Sequence, residues 1–239
     1  MTADLAALAG STIVFDLDGT LVDTAPDLVG TLNSLLVDEG LAPLTLDAVR
    51  PMIGRGARAL MVRGFEAAGL TFPQDDRGDR LFDAFLNRYE ARISQDSRPF
   101  PGCVGALDAL EAAGARLAVC TNKRTHLSVS LLEALGLAGR FAAIVGAEAV
   151  PAAKPDPIHL TETIRRAGGE LSRAVMVGDA ATDANAARAA GVPLVLVSFG
   201  YTETPARELS PDILIDHFDE LPPACAALLA ACPPATREV

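Results

Sequence analysis

Short runs of β-branched and apolar residues recur along the chain at 12–15, 116–120, 143–145, 174–177 and 194–197. They lack the alternation of a half-exposed strand and read as strands buried on both faces. Between them apolar positions return at helical spacing. Leu107 and Leu110 precede Gly114, Leu127, Leu131, Leu132 and Leu135 precede Gly136, Leu160 and Ile164 precede Gly168, and the run 183–190 ends at Gly191. Glycines in those places mark helix ends. Strand and helix in alternation predict an α/β fold with a doubly wound, mostly parallel sheet, a Rossmann-like core.

The interval 23–99 breaks this rhythm. It carries three helical patterns and no buried strand. Pro26 opens the first, with Leu28, Leu32, Leu35 and Leu36 on its apolar face, 57–68 is the second, and the third runs through Leu81, Phe82, Phe85, Leu86, Tyr89 and Ile93. The expected organisation is an α/β core, 1–22 and 100–239, with a small all-helical domain, 23–99, inserted after the first strand. Hinges are expected near 22–24 and 99–102.

Composition narrows the function. Half of the 239 residues are apolar, yet no apolar run approaches the roughly 20 residues of a membrane span. No basic residue precedes the first strand and Asp4 lies there, which argues against a signal peptide. A soluble, cytoplasmic protein without a membrane partner is expected. The net charge of −11 argues against nucleic acid. Cys103, Cys120, Cys225 and Cys232 lack metal-ligand spacing, and His126, His159 and His217 are scattered. Eighteen of twenty basic residues are Arg, so the two places where lysine survives, Lys123 and Lys154, stand out.

The strand ends carry the chemistry. The first run empties into Asp16-Leu17-Asp18-Gly19-Thr20, where Gly19 permits a turn that brings two acids into one site. The second runs into Thr121-Asn122-Lys123. Lys154, fixed by prolines, follows the third, and Gly178-Asp179 with Asp183 follows the fourth. Ligands of such sheets bind beyond the carboxyl ends of the strands. Asp16, Asp18 and Asp179 together gather more negative charge than a site tolerates unpaired. A hard divalent cation relieves it, and an oxygen donor set favours Mg²⁺. Thr121, nearby amides and Lys154 then offer donors to a phosphoryl group.

In order and spacing, Asp16 to Thr20, Thr121, Lys154, and Gly178-Asp179 with Asp183 resemble the four motifs of the haloacid-dehalogenase-like phosphohydrolases. Within that superfamily, 15–28, 53–57, 131–137 and 197–201 resemble the bacterial phosphoglycolate phosphatases. Ala180 stands where many relatives have Ser. The resemblance implies Asp16 as nucleophile and Asp18 as general acid and base. It implies Mg²⁺ on the Asp16 side chain, the Asp18 carbonyl and Asp179, and phosphoryl contacts from Thr121, Asn122 and Lys154. Asp183 would orient Lys154 or a metal-bound water, and the helical insert would act as a cap. The implied reaction is hydrolysis of a small phosphorylated metabolite, 2-phosphoglycolate first, by a monomer or homodimer.

Arg55 and Arg58, beside Gly54 and Gly56, are candidates to read a substrate carboxylate; the competing reading is a helix start with arginines in solvent. A phosphatase for another small phosphomonoester, such as a sugar phosphate, is the main alternative, and a sugar phosphomutase shares Asp16 and Asp18. A non-catalytic scaffold is disfavoured because none of the charged set is missing. A phosphonate-cleaving relative needs a cap lysine, and 23–99 has none.

Overall fold

The computed structural model describes residues 5–231, so Asp4, Cys232 and the carboxyl-terminal residues beyond lie outside it. In chain order the core begins with β1 (Thr12–Phe15) and a two-residue strand β2 (Val22–Asp23). The insert follows as α1 (Ala25–Asp38), α2 (Leu46–Val49), α3 (Ala57–Ala67) and α4 (Asp76–Glu90). The chain returns through β3 (Arg98–Pro99) to α5 (Cys103–Ala112), β4 (Arg116–Cys120), α6 (Thr125–Ala134) and β5 (Phe141–Val145). Then come α7 (Pro157–Arg166), β6 (Ala174–Gly178), α8 (Ala181–Ala190), β7 (Leu194–Val197), β8 (Ile213–Ile215) and α9 (Leu221–Ala231).

Among the described residues, one sheet runs in the order β5-β4-β1-β6-β7-β8, with every pairing parallel. The chain moves outward from β1 through β4 to β5, then crosses back to β6 on the other side of β1. That reversal opens a crevice at the carboxyl ends of the central strands. Phe15 pairs with Val119 and with Val177, so Asp16, Thr121 and Asp179 all leave the sheet within one residue of the same level.

The period-two pleat sorts the strand side chains into two cores. Ile13, Phe15, Leu117, Val119, Val175, Val177, Val195 and Val197 pack with residues of α5, α6 and α9. Val14, Ala118, Cys120, Met176, Leu194 and Leu196 pack on the other face with residues of α7 and α8. Burial on both sides accounts for the unbroken apolar runs. No helix among the described residues is long and apolar enough to cross a membrane.

The insert has a core of its own, built on Leu32, Leu35, Leu36, Met61, Phe65, Phe85 and Tyr89, and it takes in Leu127 and Tyr201 from the α/β part. Its helices are locally specified. Pro26 sits in the first turn of α1, where a missing N–H costs nothing, and the Asp75 side chain caps α4 by accepting from Arg77 and Gly78. β2 and β3 pair antiparallel where the chain leaves and re-enters the core, so both crossings lie on one ribbon.

Several elements have no counterpart in the sequence reading: the short α2, β2 and β3, and also β8 and α9. β8 is a three-residue edge strand behind a proline, too short for a period to register. α9 carries Pro222 and Pro223, both in its first turn, where proline is tolerated.

Asp27, fully buried in α1, ties the ribbon to the insert. It accepts from Ser97 N–H at 2.8 Å, Ser97 Oγ at 2.7 Å, Asp96 N–H at 3.0 Å and Arg92 Nε at 3.3 Å. Asp27→Ala strands those donors in the interior and is expected to lower unfolding free energy by about 3 kcal/mol. Urea unfolding checks this; a loss below about 1 kcal/mol would mean water replaces the carboxylate at little cost.

Candidate functional site

β1 delivers Asp16 into the crevice already oriented. Its N–H continues the ladder to Val177 at 2.9 Å, and its Oδ1 accepts from Leu17 N–H at 2.7 Å. Lys154 Nζ lies 3.0 Å from the same oxygen and 2.7 Å from Asp183 Oδ1, with no exposed side-chain surface. Asp183 Oδ2 in turn accepts from the N–H groups of Asp179 and Ala180 at 3.1 and 3.0 Å. Ala180 has no side chain to cap α8, and Asp183 supplies the hydrogen bond from inside the helix.

Asp179 is held by Thr20 Oγ1 at 2.9 Å and by the N–H of Tyr201 at 2.7 Å. Gly19 sits at a φ of +86°, and a Cβ there would come within 2.6 Å of Asp179 Oδ2. Only glycine lets the acid loop turn so close to this carboxylate.

Asp16, Asp179 and Asp183 each offer an oxygen within 4.8 Å of the others, and all three are buried. Burial, followed by the opposing pull of Lys154 and the repulsion of Asp183 and Asp18, leaves the Asp16 carboxyl raised to about 7. Burial, then Asp183 and Asp16, raise Asp179 well above the ordinary range. Lys154 is pushed upward in spite of burial, because Asp16 and Asp183 outweigh it. The cluster is therefore short of positive charge, and a divalent cation fits its oxygen donors.

The Asp18 carboxylate lies outside this cluster. Lys123 Nζ donates to both its oxygens, at 2.9 and 3.0 Å, and the ring of Tyr89 from α4 lies 4.5 Å from the same ammonium. Thr121, 1% exposed, accepts on Oγ1 from Lys123 N–H at 3.2 Å, which leaves its own O–H free to donate. The Asn122 side-chain amide donates to Lys154 C=O at 3.0 Å and to Gly54 C=O in the insert at 3.2 Å. His159 is buried in α7 behind the site. Its Nδ1 accepts from Lys154 N–H at 3.2 Å, and its Nε2 lies 3.1 Å from Val145 C=O. Burial and Lys154 lower it to about 4, so the ring is neutral and Nε2 carries the proton.

The predicted residues Asp16, Asp18, Thr121, Asn122, Lys154, Asp179 and Asp183 thus meet at one end of the sheet. Beside them a cavity of about 360 Å³ is walled by Asp16, Asp18, Thr121 and Lys123 below and by residues of the insert above. Arg55 and Arg58 line it too, but from the rim. Arg58 pairs with Asp79 at 2.5 Å and covers Phe82, and the Arg55 side chain is 61% exposed, 3.9 Å from Glu203. Three contributors were absent from the predicted site. Thr20 and Tyr201 hold Asp179, and Lys123 holds Asp18. For Lys123 a signal existed, as one of two lysines in an arginine-rich chain; for Tyr201 it was the family resemblance of 197–201, which gave no role to the residue.

The haloacid dehalogenase-like hydrolase family model matches residues 13–197. Phosphoglycolate phosphatase of Caulobacter vibrioides is 55% identical over 227 residues, 95% of either chain. That of Agrobacterium fabrum is 48% identical over 211 residues, 88% of this chain and 90% of its own. Among solved structures, a predicted phosphoglycolate phosphatase from Haemophilus somnus superposes with a TM-score of 0.83 at 32% identity, covering 90% of this chain and 96% of its own. The chain belongs to the haloacid dehalogenase-like hydrolases.

The carboxylate cluster sets a sign for stability. With its proton affinity raised from 3.8 to about 7, Asp16 favours the metal-free fold below the lower value, and this support is lost as pH rises through the upper one. A cation takes the proton's place. Added Mg²⁺ is expected to raise Tm at about pH 8 and much less at about pH 5, where protons compete. Differential scanning calorimetry of the protein and of Asp179→Asn checks this. An equal gain at both pH values, or in both proteins, would refute it.

Proposed function

We propose that the protein is a Mg²⁺-dependent phosphomonoesterase that hydrolyses 2-phosphoglycolate to glycolate and phosphate. The observation that supports the chemistry is the convergence of Asp16, Lys154, Thr121 and Asp179 from four separate strand ends, beside a cavity that Asp16 and Thr121 line. The names of the Caulobacter and Agrobacterium relatives support the substrate.

Asp16 and Asp179, with the main-chain carbonyl of Asp18, would hold the cation. When bound it supplies charge that offsets repulsion between carboxylate and phosphate and stabilises the transferring group. Lys154 and Leu17 N–H occupy Asp16 Oδ1 and fix the plane of the carboxylate, leaving Oδ2 to attack phosphorus. The P–O bond to the leaving group breaks as the new one forms, and Asp18 gives its proton to the departing alkoxide. Asp18 then takes a proton from water, which attacks the aspartyl-phosphate. The bond to Asp16 breaks, phosphate leaves and the carboxylate is restored. Thr121 O–H and Lys154 steady the phosphoryl oxygens, and Asn122 keeps the loops that carry them together. The unit 23–99 closes as a cap that excludes bulk water.

Phosphate release from 2-phosphoglycolate in Mg²⁺ tests this. Asp16→Asn is expected to lower kcat by about 10³-fold or more, with circular dichroism unchanged. A panel with sugar phosphates, nucleotides and p-nitrophenyl phosphate ranks the substrates by kcat/KM. A sugar phosphate above 2-phosphoglycolate would overturn the substrate, and full activity in Asp16→Asn would overturn the mechanism.

A further inference from the structure

The cavity must recognise more than a phosphoryl group, and its cations are not equivalent. Lys154 is committed to Asp16 and Asp183. Arg58 is committed to Asp79 and lies over Phe82, as does Arg124 at 5.5 Å. Arg55 stands in solvent at the rim. Lys123 differs from all of these. Its side chain is 5% exposed, it faces the cavity, and among the described residues its single anionic partner is Asp18. A buried ammonium needs an anion close by.

That partner cannot stay where it is. Both Asp18 oxygens are held by Lys123 at 2.9 and 3.0 Å, so presenting the carboxyl to a leaving group means giving up at least one of these bonds. Proton transfer brings it to within about 3 Å of the leaving oxygen. Something anionic has to meet the ammonium as Asp18 turns.

We infer that Lys123 reads the substrate's carboxylate, which replaces Asp18 on the ammonium and frees Asp18 to face the leaving oxygen. The assignment rests on the phosphatase reading above and deepens it to a substrate class: phosphomonoesters whose leaving group is a short 2-hydroxy acid. Span sets that class. The carboxylate takes the place that Asp18 leaves, and Asp18 reaches the leaving oxygen by turning about its own short side chain, so the carboxylate must lie within a few ångström of the ester oxygen. One carbon between the two satisfies this; a long spacer does not. Tyr89 of α4 covers the ammonium from the other side, so the exchange takes place beneath the helical insert. A neutral alcohol leaves Lys123 bound to Asp18 and gains nothing from it.

The test compares kcat/KM for 2-phosphoglycolate and 2-hydroxyethyl phosphate, which differ in carboxylate against hydroxymethyl. It uses the unaltered protein, Lys123→Met, Lys123→Arg and Arg55→Ala. The unaltered protein is expected to favour the carboxylate ester strongly. Lys123→Met frees Asp18 with either ester and removes the partner of the substrate's carboxylate, so the preference falls by about tenfold or more, through a raised KM for 2-phosphoglycolate. Lys123→Arg, which keeps the charge and guards against a folding defect in the first variant, retains most of the preference, as does Arg55→Ala. An unchanged ratio in Lys123→Met would overturn the inference, and so would a collapse in Arg55→Ala alone. If the unaltered protein cleaves both esters equally, Lys123 has no such role while the phosphatase reading stands. If it cleaves neither, both fall.

Discussion

Four carboxylates and two lysines share the end of one sheet, and the cost of keeping them out of water governs what surrounds them. Burying an ion without a partner costs several kcal/mol, whereas a well-bonded pair roughly breaks even. Lys154 is bracketed by Asp16 and Asp183, and Lys123 is bound by Asp18. Asp179 has hydrogen bonds from Thr20 and Tyr201 but no cation of its own. The negative excess is therefore local, and it lies where Asp16, Asp179 and Asp183 converge.

The sheet supports this concentration of charge with two largely apolar faces. Both sheet faces are filled by aliphatic side chains, and the strand register brings the polar residues out at a single level. A slip of one residue in β1 would exchange its two faces and move Asp16 out of reach of Lys154. The second layer is equally specific. His159 is kept neutral so that its Nδ1 can receive Lys154 N–H, which fixes the loop carrying the lysine from behind.

Much of this could be read in the chain. The buried runs of β1, β4, β6 and β7 are unbroken and apolar, and each ends in a polar residue, so both the parallel sheet and its working edge followed from one pattern. The helical character of 23–99 was visible in its spacing and in the lack of a buried apolar run; the two-residue ribbon strand β3 lies at its end. Pairing of side chains was not. Nothing local to residue 123 says that its amine meets Asp18, 105 residues earlier, and not solvent. Likewise the glycines beside Arg55 and Arg58 say nothing of the carboxylates that these arginines meet, at 203 and 79.

Tyr201 shows how the carboxylate cluster and the insert are mechanically one unit. Its N–H donates to Asp179, while its hydroxyl bonds to Asp23 on the connecting ribbon and accepts from Ala25 N–H at the start of α1. Arg50 of the insert pairs with the same Asp23 at 3.1 Å and lies 5.6 Å from the tyrosine ring. One residue therefore links the ribbon and the start of the helical unit to the carboxylate that it orients. Tyr89 makes the matching contact on the other side, against Lys123. The helical insert thus bears on both carboxylates, on Asp179 through the Tyr201 hydroxyl that meets Ala25 N–H and on Asp18 through the Tyr89 ring beside Lys123.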